Sequence, residues 1–370
     1  MRSSTSNSDI HLQARSLPEG RWLTPFAVAV LLLLIVVGLL ETALAVRGFK
    51  PTVVDSAAMW ARERSRADDA GAQGLVLVGA SRAQLDIDLP ELARVTGKKP
   101  VQLAIDGSSY VAVLADLAAD ARFTGTVIVD YQGGVPDPYY KDAASQYVDY
   151  WHHDRRGGGR FDFSRTEAAL AAWRQATLRS YADGAGPFAA LTSRVLPPKA
   201  TPQYLVTLPS RSREADYSKV SMPAFYFKRA MRNAGIEDIP ALPDYAAIDR
   251  YLSDRIRAIP QASVVHLEEN ATLLGQMVRA IEARGGEVIF VMYPRSGLVR
   301  AADDARYPRA VFWDHVVPLA GGKGLYFADE PSLRAFTCPD GSHLDVRDKR
   351  QFTEALAKAL ESRGWIKVGS

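Results

Sequence analysis

The stretch Leu75–Asp88, LVLVGASRAQLDID, decides the fold. Leu75–Val78 is a short apolar run with β-branched residues, which suits a strand buried on both faces. The run stops on Gly79, and Ser81 and Arg82 follow almost at once. Asp88-Leu-Pro-Glu then opens a helix with a capping residue and an early proline, and Gly97 closes it.

Working outward, the alternation repeats. Val101–Ile105 reads as a second strand, Tyr110–Ala121 carries apolar residues at helical spacing, and Thr126–Asp130 (TVIVD) reads as a third strand. Near the other end, His266–Arg284 is a helix stopped by Gly285-Gly286, followed by a strand at Glu287–Tyr293. A weaker strand at Leu325–Phe327 and a final helix over Arg347–Ser362 complete the series. Strands alternating with helices predict an α/β fold: a three-layer α/β/α sandwich around a mostly parallel sheet. Between Gly133 and about Pro260 the pattern breaks into aromatics, prolines, the run RRGGGR and helical pieces at Thr166–Arg174 and Tyr245–Ile256. This region reads as a helical insertion over the edge or mouth of the sheet.

The N-terminal region sets the compartment. Trp22–Leu40, WLTPFAVAVLLLLIVVGLL, is 19 residues without a charge. As a helix it spans roughly 28 Å, close to the hydrocarbon thickness of a bilayer. Arg2, Arg15 and Arg21 precede it, and Arg47 and Lys50 follow, so charge sets orientation only slightly. A polar N-terminal tail and no second apolar span favour a cytoplasmic N-terminus and an extracytoplasmic (periplasmic) body. A cleavable signal is the rival, given Ala43-Leu44-Ala45. The expected organisation is a tail over 1–21, an anchor over 22–46, a charged connector over 47–72 holding the body off the membrane, and a body over 73–365.

Bulk composition excludes several classes. A formal charge of +3 on 370 residues argues for no nucleic-acid partner. One cysteine, Cys338, rules out an internal disulfide framework and a cysteine zinc cluster. His152 and His153 are adjacent and so point apart, which makes a poor chelate. No metal or cofactor site is read from the sequence.

Three readings compete for the Gly-Ala-Ser-Arg turn. A phosphate-binding turn needs more glycines than Gly79, and no Gly-x-x-x-x-Gly-Lys-Ser/Thr occurs anywhere. A helix cap needs only Ser81 accepting a backbone N–H. A nucleophile needs a base, and the chain has no Gly-x-Ser-x-Gly elbow. A base appears in FTCPDGSHLDVRDKRQFTEALAKAL, Phe336–Leu360, where Asp340 stands three residues before His343, just ahead of a helix. Ligands in α/β sheets sit outside the carboxyl ends of strands. Ser81 follows one such end, and the Asp340/His343 loop follows the Leu325–Phe327 strand, so the two are expected on one rim. His343 is then the base for Ser81, with Asp340 orienting the imidazole.

A serine block early in the fold and a D-x-x-H block before the last helix together resemble the SGNH (GDSL-like) hydrolases. The similarity covers most of Leu75–Leu360, the insertion apart. It looks closest to the membrane-anchored branch with the D-alanyl transfer protein of teichoic acids and the alginate O-acetylation proteins. The resemblance implies Ser81 as nucleophile, His343 as base and Asp340 as orienter. It also implies an oxyanion site from the Ser81 N–H and a second-block glycine, Gly107 in QLAIDGSSY. An extracytoplasmic body acting on a glycan or acyl ester, beside a membrane-bound O-acyltransferase, is implied as well. The chain departs from the pattern in two places. Gly79-Ala80-Ser81 replaces Gly-Asp-Ser, and none of the three asparagines, Asn7, Asn233 and Asn270, follows the third strand. Gln132, in VIVDYQGG, stands near that place as an alternative donor. Losing one oxyanion donor costs about a hundred- to a thousandfold in rate.

Other rim residues carry two readings each. Arg82 and Arg295 either hold a substrate hydroxyl, carboxylate or phosphate, or pair with an acid such as Asp86 or Asp303. The aromatics of DPYYKDAASQYVDYWHH either stack on sugar rings or form insertion core. Ser108 and Ser109 read as turn residues, and Cys338 as a small packed thiol. Two functions follow as expectations: a membrane-anchored serine esterase or O-acyltransferase on an envelope or secreted polysaccharide, or a catalytically weak or inactive accessory subunit binding a glycan or an acyltransferase.

Overall fold

The computed structural model describes residues 22–134, 141–156 and 163–366. The tail over 1–21, the RRGGGR run from Gly157 onward and the Asp137–Tyr140 aromatics lie outside the described residues. The described residues begin with α1 (Leu23–Val46) and α2 (Ala57–Ala70), then β1 (Gly74–Val78), α3 (Ser81–Leu85), α4 (Leu89–Thr96), β2 (Lys99–Gln102), α5 (Val111–Ala119) and β3 (Thr126–Asp130). The insertion holds α6 (Ala143–Arg156), α7 (Phe163–Thr177), α8 (Pro187–Ala190), the hairpin strands β4 (Leu205–Thr207) and β5 (Arg213–Ala215), α9 (Ala224–Ala234) and α10 (Tyr245–Arg257). The sheet resumes through α11 (Leu267–Glu282), β6 (Glu287–Met292) and α12 (Gly297–Arg306). Two one-turn helices, α13 (Arg309–Phe312) and α14 (Val316–Leu319), precede β7 (Lys323–Tyr326). A third, α15 (Pro331–Arg334), precedes the last helix α16 (Val346–Glu361).

The five central strands are ordered β2-β1-β3-β6-β7 and every pair is parallel. β1 and β3 are buried along their whole length, as their unbroken apolar runs require. Connection β1→β2 moves one way along the sheet and β2→β3 moves back past β1. Right-handed crossovers therefore place α4 and α5 on opposite faces. The packing agrees: α4 contacts α16, whereas α5 contacts α11 and α6. The result is the expected three-layer α/β/α fold.

Two elements differ from expectation. β2 ends at Gln102, but Leu103 and Ile105 N–H groups still donate to Leu77 and Gly79 carbonyls at 2.8 and 2.9 Å, carrying the second strand's chain to the rim. More importantly, α2 is part of the body rather than a spacer. Trp60 is fully buried and its indole donates to the Leu103 carbonyl at 2.9 Å. Arg64 is also fully buried, paired with Asp116 at 2.6 Å, Asp120 at 3.1 Å and Asp68. The charges that make this segment look solvated are satisfied inside the fold.

α1 is long and apolar enough to cross a membrane. Its first turns are exposed all round, whereas Leu40 and Leu44 pack on the insertion.

Candidate active site

Ser81 is the first residue of α3, immediately beyond β1. Gly79 makes this turn, with a φ of +138° that side-chain-bearing residues avoid. A Cβ there would lie 2.4 Å from the Asp130 Cβ, so the glycine also lets β3 approach closely. Asp130 ends β3 and accepts the Ala80 N–H at 3.3 Å, bracing the turn from below.

The D-x-x-H loop enters the same rim from the opposite end of the chain. The Ser296 N–H donates to the Gly341 carbonyl at 2.9 Å, and Gly341 (φ +84°) lies so close to Val299 that a Cβ there would collide with it. Asp86, the residue after α3, accepts the Leu344 N–H at 2.9 Å and ties the loop to the serine segment. The outcome is contact across 262 positions: Ser81 Oγ lies 2.8 Å from His343 Nε2. His343 Nδ1 lies 2.9 Å from Asp340 Oδ2. Asp340 Oδ1 accepts the N–H groups of Ser342 and His343 at 2.9 and 2.8 Å. With Nδ1–H donated to the carboxylate, the Nε2 lone pair faces the serine hydroxyl.

Burial sets the electrostatics. His343 is 2% exposed, and this desolvation, helped by the Arg229 and Arg82 charges, lowers its pKa below 6.5 despite Asp340. The shift favours the neutral imidazole, the form that can accept a proton. Burial opposes ionisation of Asp340, but the His343 hydrogen bond, Arg229 and the Ser342 N–H outweigh it and hold the carboxyl well below the usual range. Burial dominates at Asp86 and Asp130, whose carboxyls are pushed up, with the Asp130 and Asp340 charges adding to the effect at Asp86.

The structure thus brings together Ser81, His343 and Asp340. Gly107 lies at the end of the β2 extension, exposed, with a φ of +70°. Gln132 Nε2 donates to the Ser108 carbonyl at 3.0 Å and lines a cleft of about 380 Å³ with His266, Asn270, Tyr307 and Phe312. For Arg82 and Arg295 the structure has the ion pair: both reach Asp303 Oδ2, at 3.3 and 2.7 Å, and Arg295 is 4% exposed. Arg82 also donates to the Ser342 carbonyl at 3.3 Å, so it steadies the histidine loop. Tyr147 and Trp151 belong to the core, edge-on to Trp60 and beneath the Arg64 guanidinium respectively. Ser109 Oγ accepts the Val111 N–H at 3.0 Å in the turn that leads into α5. Cys338 is buried, its thiol donating to the Pro294 carbonyl at 3.3 Å and its pKa pushed up by burial.

Arg229 and Tyr217 escaped the sequence reading. Arg229 Nε stands 3.2 Å from Asp340 Oδ2, and Tyr217 faces the same carboxylate, which together with burial pushes its phenol pKa up. Both come from the insertion, which has no local motif to flag them. Asp130 had a signal, an acid closing an otherwise apolar strand.

No family model, curated protein or solved structure matches the chain.

Proposed function

We propose that this protein is a membrane-anchored serine esterase or O-acyltransferase. One observation carries the reading: a part-exposed serine hydroxyl 2.8 Å from Nε2 of a buried imidazole whose Nδ1 lies 2.9 Å from a fully buried carboxylate. A helix cap requires none of these partners. In the proposed cycle the Ser81 proton passes to His343 Nε2 as Oγ bonds to the ester carbonyl carbon. The leaving alkoxide then takes that proton, giving an acyl-serine and a free alcohol. Water or a sugar hydroxyl next gives its proton to Nε2 and attacks the acyl carbon; as the acyl–Oγ bond breaks, Nε2 returns that proton to Ser81 Oγ. Asp340 stabilises the transient imidazolium. The Ser81 and Gly107 N–H groups and the Gln132 amide are the proposed oxyanion donors.

The SGNH resemblance extends this proposal to an extracytoplasmic body, an O-acetyl group, an envelope or secreted glycan, and a membrane-bound O-acyltransferase partner. The apolar α1 supports the anchor. One observation favours a weaker or inactive accessory subunit instead: one of the two N–H bonds of the Gln132 amide is already taken by the Ser108 carbonyl. The full chain in detergent, given a chromogenic acetyl ester and a fluorophosphonate probe, separates the two. Turnover and labelling that vanish in Ser81→Ala and His343→Ala support the enzyme. Absence of both in the parent protein supports the accessory role.

A further inference from the structure

Outside α1, the most exposed large apolar side chains include Phe188 and Leu196, at 79% and 65%. Both sit on the insertion segment Arg179–Ala200, which wraps the C-terminal turns of α1. The Glu41 carboxylate accepts the backbone N–H groups of Arg179 and Ser180, each at 2.8 Å. Ala190 and Val195 pack with Leu40, Leu44 and Phe49, and Arg47 donates to the Pro197 carbonyl at 2.8 Å. Leu196 is thus held between a residue packed near Leu40 and Leu44 and one bonded to Arg47.

These contacts fix a depth. Trp22–Leu40 spans roughly 28 Å as helix, about the hydrocarbon thickness, so Leu40 lies at its edge. The next seven residues, to Arg47, rise about 10 Å, through the headgroup layer. The segment packed on Leu40–Arg47 therefore occupies that layer itself. Exposed Arg47 and Lys199 add charges suited to lipid phosphates, while Lys50, also exposed, pairs with Glu214 at 3.4 Å.

We propose that Arg179–Ala200 is a collar seated in the bilayer interface, with Phe188 and Leu196 inserted among the lipids of the leaflet from which α1 emerges. The proposal rests on α1 spanning a membrane, and it replaces a body held off the surface by a body docked on it. The collar residue Asp183 and Thr201, just past the collar's end, share a cleft of about 490 Å³ with Asp106, the neighbour of Gly107. Seating the collar therefore places one end of that cleft near the lipid surface and the other beside the candidate oxyanion loop.

The test uses the full chain in nanodiscs of phosphatidylcholine and phosphatidylglycerol. Single cysteines at F188C, L196C, L33C and V265C carry a polarity-sensitive fluorophore. The unsubstituted chain, whose Cys338 is buried, reports background labelling. Replacing part of the lipid with nitroxide-bearing lipid is expected to remove most of the emission at 188, 196 and 33, while 265 keeps it. Quenching at 33 without quenching at 188 and 196 overturns the collar but leaves the span intact. No quenching at 33 removes the span on which the proposal rests. Labels at 188 and 196 shielded from iodide yet untouched by lipid nitroxide mean a protein covers them, which also overturns it. Equal quenching at 265 overturns it too, because contact is then not confined to the collar.

Discussion

Arg229, on an insertion helix, places its Nε 3.2 Å from the Oδ2 of Asp340, the oxygen that also faces His343 Nδ1. The insertion therefore contributes a cation to the site rather than merely covering it. This positive charge favours ionised Asp340 and disfavours protonated His343.

The pH dependence follows with a definite sign. A base whose pKa lies below 6.5 stays unprotonated until the pH falls under the ordinary histidine range. The acid limb of kcat/KM for ester hydrolysis is thus expected with its midpoint below 6.5. Removing the Arg229 charge raises the His343 pKa, so Arg229→Gln moves that midpoint upward. Profiles of both proteins on one acetyl ester check this. An unmoved limb means Arg229 does not act through the imidazole.

Gly79→Ala is expected to be severe. The substitution adds a Cβ at 2.4 Å from Asp130 in a backbone conformation that alanine resists. Strain and overpacking together cost about 2–4 kcal/mol. Gly97→Ala makes the comparison: its φ of +64° is also left-handed, but open space surrounds it. Its cost is expected near 1 kcal/mol. Denaturant unfolding of the two variants measures the difference, and equal losses would show that contact with Asp130 is not what requires Gly79.

Arg64→Leu leaves Asp116 and its acidic neighbours Asp68 and Asp120 without their buried cation. Breaking a buried pair from one side costs about 3–5 kcal/mol, and Arg64→Leu with Asp116→Leu is expected to recover part of it. Thermal unfolding of both variants checks this. The same residue explains what the sequence hid. β1, β3 and β6 were legible because two-sided burial leaves uninterrupted apolar runs. The segment AAMWARERSRADDA looked like a spacer because its charges carry no mark of their distant partners. Asp340 and His343 were legible through their spacing and the helix behind them. Arg229 was not, since it reaches the site through the fold of the insertion alone.

Gln132 tests the proposed oxyanion site. Its amide Nε2 has two N–H bonds, and the Ser108 carbonyl at 3.0 Å takes one. In the proposed cycle the second donates to the oxygen that becomes negative as Ser81 attacks. Gln132→Ala is therefore expected to lower kcat by about a hundredfold, with KM changed little, because the interaction forms only in the transition state. Gln132→Glu keeps the length of the side chain but offers no N–H when ionised, so it should lose at least as much. Steady-state kinetics on a chromogenic acetyl ester distinguishes the roles. A rise in KM at constant kcat would instead make Gln132 a brace for the Ser108 turn and leave Ser81 and Gly107 as the only donors.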